Sequence, residues 1–242
     1  SIYKKIVEYL QNGTLSILEN DVNDPTNIFV KIYGVGPKKA KELVNDGINN
    51  LDDLKLCSKD VLNDIQQIGL KYYDDILKRI PREEINIYDE LFVMAKNTLN
   101  NTNNFKYEIV GSYRRGHDTS GDIDVIITSS LEEFNEFLDK LIEKKIIIEV
   151  LSRGNTKSLV ITKLNTQSIA RRVDFLHTNE TQYPFAILYF TGSKLFNTGM
   201  RQQALNMGYT LNEHGMSHII NNKKGDPVTQ TIKTEKDIFD FL

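Results

Sequence analysis

The sequence predicts an α+β protein in three parts, from three observations. Up to about Ile80, apolar residues recur three and four apart between polar breaks, the spacing of short amphipathic helices. After the polar tract "NTLNNTNNFK", β-branched runs broken by turns take over, the pattern of strands. From about Tyr183 helical spacing returns, and a small strand-and-turn region precedes the closing "TEKDIFDFL". The order is therefore helical, then sheet with helices, then mixed, with expected boundaries at 1–79, 80–177 and 178–242.

The elements follow in order. "YKKIVEYL" and "PKKAKELVNDG" have helical spacing, and "LDDLKL" follows Asn50, a suitable cap. Pro81 is placed in the first turn of a long helix, "REEINIYDELFVMAKNTL", with acids near its start. "KYEIV", "DIDVIITS", "KIIIEVLS", "KSLVITK" and "ARRVDFLH" are expected strands, with "SLEEFNEFLDKLIEK" a helix among them. "YPFAILYFTGSKLFNTGMRQQALNMGY" is expected to be helical.

Composition narrows the class. At 242 residues the chain can build two or three units with real cores, and 40% hydrophobic with 26% charged residues is ordinary for a globular protein. No apolar run approaches the roughly 20 residues of a membrane span, and the amphipathic start is not a secretory signal. A single cysteine, Cys57, excludes an internal disulfide and points to a reducing compartment. Four scattered histidines argue against structural zinc. A net charge of −3 counts mildly against nucleic-acid binding, although local patches set the field at a binding face.

Four places carry chemistry. In "GDIDVIIT", residues two apart on a strand share a face, so Asp122 and Asp124 point together. Two such carboxylates repel unless a cation lies between them, and Mg²⁺ suits oxygen ligands. Taken alone, Asp-x-Asp also fits an exposed strand edge. Just upstream, "GSYRRG" offers backbone N–H groups, the Ser112 hydroxyl and the Arg115 guanidinium to phosphate oxygens. Asp174 in "ARRVDFLH" becomes a third acid if its strand neighbours the first pair; otherwise it is a surface residue paired with Arg171 or Arg172. In "IYGVGPKKAKELVNDGINNLDDL", Gly34 and Gly36 permit a turn at positive φ before Lys38, Lys39 and Lys41. Lysines at a helix start oppose the dipole, which a bound phosphate would explain; solvated lysines on a capped helix are the plainer account.

Together these blocks, with "IGLKYYDDILKRIPREE" and "LYFTGSKLFNTGMR", resemble the family X DNA polymerases, the group of DNA polymerase beta and its relatives. The resemblance covers nearly the whole chain in the family's order. It implies a helical DNA-binding part with a helix-hairpin-helix, a nucleotidyltransferase palm and a small nucleotide-selecting part. It implies that Asp122, Asp124 and Asp174 hold two Mg²⁺ ions, and that Arg172 packs against Asp174 and the primer end. Ser112, Arg115 and Gly121 would hold the triphosphate, joined by Arg79. Tyr189, Phe190 and Gly192 would contact the sugar, Asn197 the base and Arg201 the template, while Glu213 couples closure to the site. Gly34, Gly36, Lys38 and Lys39 would bind DNA, and the carbonyls of Val30, Ile32 and Val35 would hold Na⁺ or K⁺.

The implied partners are gapped or primer-template DNA and a dNTP, with no membrane, a monomeric state, and a nuclear or otherwise intracellular setting. Departures from the family are Lys194 in place of an acid and Leu176 in place of an arginine. Lys5 falls where the family's lyase lysine stands, without the rest of that site, and the chain is expected to be a fragment lacking most of the lyase domain. A template-independent transferase, a transferase acting on RNA or a small molecule, and a DNA-binding module without activity remain the rival readings.

Overall fold

Three side chains open helices in the first part by accepting a backbone N–H that the helix cannot satisfy itself. Asp24 caps α2 (Pro25–Phe29), Asn50 caps α4 (Leu51–Val61), and Asn63 forms a capping box with Gln66 on α5 (Asp64–Lys71). With α1 (Ile2–Asn12) and α3 (Pro37–Asn45) they are the described helices of a first compact unit, Ser1–Asp74, and α6 (Tyr73–Ile76) begins at its end. These coordinates are a computed structural model that describes residues 2–12, 24–100, 102 and 105–242. Phe29, Ile32, Ala40, Leu43 and Leu54 are fully or almost fully buried in the unit's core.

The hairpin turn between α2 and α3 rests on another backbone. A Cβ on Gly69 of α5 would lie 2.4 Å from the Tyr33 carbonyl oxygen and 2.9 Å from its nitrogen. Neither backbone can yield cheaply, so Gly69→Ala is expected to lose roughly 2–3 kcal/mol of stability. Thermal unfolding measures it; an unchanged melting temperature would refute this close approach.

The second unit, Asp75–Leu242, is built on a five-stranded mixed sheet in the order β2-β4-β7-β6-β5. Its strands are β2 (Lys106–Ile109), β4 (Ile123–Thr128), β5 (Ile147–Arg153), β6 (Lys157–Thr162) and β7 (Arg171–Thr178). A two-residue strand, β1 (Ile80–Pro81), pairs with β3 (Thr119–Ser120). Pro81 thus stands outside α7 (Arg82–Lys96) as its N-cap, a correction to its expected place in the first turn: its backbone, at φ −59 and ψ 148, is extended in the short pairing with Thr119.

Strand alternation explains the rest. Ile123, Val125 and Ile127 of β4, with Val173 and Phe175 of β7, face a buried core that includes Tyr88 and Phe92 of α7. Phe134 and Phe137 of α9 (Leu131–Glu143) complete that layer. The intervening residues face the other way, where Ile126 and Leu176 pack on Ala186 and Ile187 of α10 (Tyr183–Thr191). Leu176 is therefore an apolar contact between sheet and helix. Asp124 and Asp174 stand on that same face, one step nearer the strand starts, where the apolar cover ends.

The expected helix over 183–209 is broken. Gly192, at φ +67, separates α10 from α11 (Lys194–Asn206), whose N-cap Ser193 accepts from Phe196 N. One continuous rod could not bury Phe185 and Ala204 in a common cluster with Ile238, so the chain turns back at the glycine. A three-stranded sheet of β8 (Tyr209–Asn212), β9 (Gly215–Ile220) and β10 (Lys223–Pro227), then α12 (Glu235–Phe241), closes the unit. Among the described residues no helix is long and apolar enough to cross a membrane.

Candidate active site

Parallel pairing of β4 with β7 sets Asp124 directly beside Asp174. Asp122, just before β4, completes a cluster in which one carboxylate oxygen of each acid lies within 4.8 Å of the others. Of the alternative, a surface Asp174 paired with Arg171 or Arg172, only the Arg172 contact is present: Asp174 is buried, and Arg171 is buried and bidentate on Glu84 at 2.7 Å.

The turn before β4 is shaped to admit this cluster. Gly111, at φ +61, starts the single helical turn α8 (Gly111–Arg114), and a Cβ there would lie 2.4 Å from Asp124 Oδ2. Val110 N donates to the Asp124 carbonyl at 2.8 Å, pinning the turn to the strand.

Charge in the cluster is compensated from two sides. Arg172 bonds Asp122, and its Nε lies 3.4 Å from Asp174 Oδ1. That second pair attracts without alignment, so both buried atoms lack a hydrogen-bond partner among the described residues. Lys157 of β6 reaches Asp174 Oδ2 at 3.2 Å. Burial, with the Asp174 charge adding to it, pushes the Asp124 carboxyl up to about 6, while Lys157 and Arg115 pull it part of the way back. An orphaned buried carboxylate oxygen beside two further acids is a donor set that suits a hard divalent cation.

The folded chain favours protonated Asp124, so this residue's contribution to stability is complete below pH ~4 and is lost as pH rises through about 6. In metal-free protein, Asp124→Asn should therefore gain on the wild type by roughly 2 kcal/mol between pH 4.5 and 7.5. Denaturant unfolding at both pH values checks this, and a pH-independent difference would contradict it.

Asp122 and Asp124 open onto a cavity of about 920 Å³. Arg79, Ser112, Arg115, Gly121, Tyr189, Phe190, Gly192, Asn197 and Arg201, all singled out in the sequence, line it. Several already have partners. Ser112 Oγ donates to Ser120 Oγ at 2.8 Å, Arg79 bonds Thr119, and Arg115 donates to the Thr191 carbonyl at 2.7 Å. Asn197 Nδ2 donates to the Tyr189 carbonyl at 2.7 Å, and the Tyr189 and Phe190 rings meet edge to face. Lys194 also lines the cavity, whereas Glu213 does not and lies 3.8 Å from His214.

Within the first unit, Gly34 takes φ +83, and its carbonyl accepts from Gln66. Gly36 does not share the positive φ expected of it: at φ −87 it is the extended N-cap of α3, a conformation open to any residue, and it leaves α3 without a side-chain cap. Lys38 and Lys41 are exposed, but Lys39 is paired with Glu42 at 2.6 Å. The Ile32 carbonyl accepts from Val35 N at 3.0 Å. Lys5 lies in α1, and its side chain is outside the described residues.

Sequence reading missed Lys157, whose place beside Asp174 depends on strand register. It also missed the partners of Arg114, which binds Glu108 at 2.6 Å, Glu235 through two nitrogens at 2.9 and 2.6 Å, and the Thr191 hydroxyl at 2.8 Å. The adjacent arginines divide the work: Arg115 lines the cavity and Arg114 ties four chain segments together.

Residues 27–77 match the family model of the fingers domain of DNA polymerase lambda, 79–180 that of the DNA polymerase beta palm, and 186–242 that of the DNA polymerase beta thumb. The chain belongs to the family X DNA polymerases. Among family members, DNA polymerase lambda of Arabidopsis thaliana is 33% identical over 98% of this chain and 49% of its own length. DNA polymerase lambda of Rattus norvegicus is 32% identical over 99% of this chain and 44% of its own. The DNA polymerase/3′-5′ exonuclease PolX of Bacillus subtilis (strain 168) is 29% identical, over 90% and 40%. The chain thus spans half or less of the length of these family X relatives.

Proposed function

We propose that this chain is the core of a DNA-directed DNA polymerase that adds a deoxynucleotide to a primer 3′-hydroxyl and releases pyrophosphate, filling short gaps during base-excision repair. The observation that carries the proposal is the register that sets Asp174 beside Asp124, which together with Asp122 lines a cavity rich in guanidinium groups. Two Mg²⁺ ions held by Asp122, Asp124 and Asp174 would supply Lewis-acid polarisation of the reacting phosphate and hydroxyl oxygens.

The chain's own residues do the remaining work. Arg115, Ser112 and the Gly121 backbone bind the triphosphate, exchanging their present protein partners for phosphate oxygens, and Arg79 joins them. Tyr189, Phe190 and Gly192 bound the sugar, Asn197 meets the base edge and Arg201 the template strand. Arg172 orients Asp174 and faces the primer end. In the helical part, Gly34, Gly36, Lys38 and Lys39 bind a DNA backbone, and the carbonyls of Val30, Ile32 and Val35 take a Na⁺ or K⁺ ion. The functional parts are residues 1–79, 80–177 and 178–242, acting as a monomer, in the nucleus if the source is a eukaryotic cell and otherwise inside the cell or in a viral setting.

Primer extension with Mg²⁺ on gapped and on single-stranded DNA tests the reading. Incorporation on the gap is expected, with a loss on the order of a thousandfold in Asp174→Ala. Equal extension of a lone single strand would replace the proposal with a template-independent transferase, and none on either substrate would leave only a DNA-binding module.

A further inference from the structure

Three carboxylates gathered within 4.8 Å repel one another, and without a metal ion the chain must balance them itself. Arg115 contributes from a distance, and the two cations in direct ion pairs with the acids are not equivalent. Arg172 is on the same strand as Asp174 and two residues before it, so it shares the triad's face; its Nε is buried, and its outer nitrogen bonds Asp122. Lys157 comes from the next strand. Antiparallel pairing sets Leu159 opposite Asp174, so Lys157, two residues earlier, lies diagonally across on the same face, within reach of a long side chain. Its ammonium meets Asp174 Oδ2 at 3.2 Å while the side chain stays 46% exposed.

We propose that Lys157 is the resident counter-ion of the metal-free triad, balancing Asp174 until a divalent cation takes over that charge and releases the lysine to solvent. The proposal rests on the reading that the triad holds divalent ions. A flexible, well-hydrated ammonium with one carboxylate contact can leave at low cost, whereas the forked and partly buried Arg172 cannot. Lys157 therefore stabilises the fold when metal is scarce and competes with metal when it is present.

Mn²⁺ binding to the full chain without nucleotide, followed by the electron paramagnetic resonance of free Mn²⁺, tests this alongside melting of the metal-free protein. Lys157→Met should melt lower without metal yet bind Mn²⁺ roughly fivefold more tightly, about one partly exposed ion pair. Lys157→Arg, which can grip Asp174 bidentately, should bind Mn²⁺ more weakly than the wild type. A structural lysine would lower the melting temperature without tightening Mn²⁺, and that result, or Mn²⁺ affinity unchanged in both variants, overturns the proposal. Absence of Mn²⁺ binding in the wild type would overturn the reading of the triad itself.

Discussion

Gly111→Ala is expected to remove divalent-metal binding and nearly all nucleotide incorporation, although it adds a single methyl group. Gly111 sits at φ +61, a region that costs an alanine roughly 1–2 kcal/mol. The larger effect is spatial, because the new Cβ would meet Asp124 Oδ2 at 2.4 Å. The turn cannot retreat easily, since Val110 N is bonded to the Asp124 carbonyl at 2.8 Å. The carboxylate must swing away instead, and a displacement near 1 Å in a reacting site costs on the order of a hundredfold in rate. Mn²⁺ titration and primer extension would report the loss, with far-ultraviolet circular dichroism to establish that the variant folds. A folded Gly111→Ala protein with wild-type Mn²⁺ affinity would refute the role given to this approach.

Arg114→Ala should destabilise the fold clearly, because it unpairs two acids at once. The guanidinium is held by Glu108, Glu235 and Thr191, and Glu108 also accepts from the Tyr183 hydroxyl at 2.9 Å. Hydrogen bonding to Glu235 is the first reason that the Arg114 pKa is raised, and burial is the first reason that the Tyr183 phenol is raised. Removing the cation leaves two half-buried carboxylates facing one another. Their side chains are 38% and 24% exposed, so solvent softens the penalty of a fully buried pair, and about 2 kcal/mol is expected. That corresponds to roughly 4–8 °C in melting temperature for a unit of this size. Arg114→Lys should recover only part of it, because an ammonium cannot bridge both acids in a fork. A double-mutant cycle with Glu235→Ala isolates the pair, and additive losses would show that Arg114 and Glu235 are not coupled.

How much was legible follows from the range of each signal. The Asp-x-Asp alternation, the Asn50 cap, the Gly-Ser turn and the strand periodicity are local, so neighbouring residues alone declare them. The break at Gly192 was less legible. "YFTGSKLF" has helical spacing on both sides, and what interrupts it is the shared burial of Phe185, Ala204 and Ile238, contributed by distant segments. Gly36 was misread for a similar reason: two glycines two residues apart look alike in sequence, but only Gly34 occupies the left-handed position.

The sequence by itself determined the α+β order of elements, the identity of the three acids and the chemistry that such acids and their neighbouring arginines can perform. Only the tertiary structure decided that Asp174 stands beside Asp124, that Lys157 rests against it, and that Arg114 belongs to the scaffold while Arg115 lines the cavity. The physical reason is that a strand's side-chain direction is set by alternation within the strand, whereas the neighbour it meets depends on pairing register. A slip of one residue between β4 and β7 would have turned Asp174 into the apolar layer and left Asp122 and Asp124 without it.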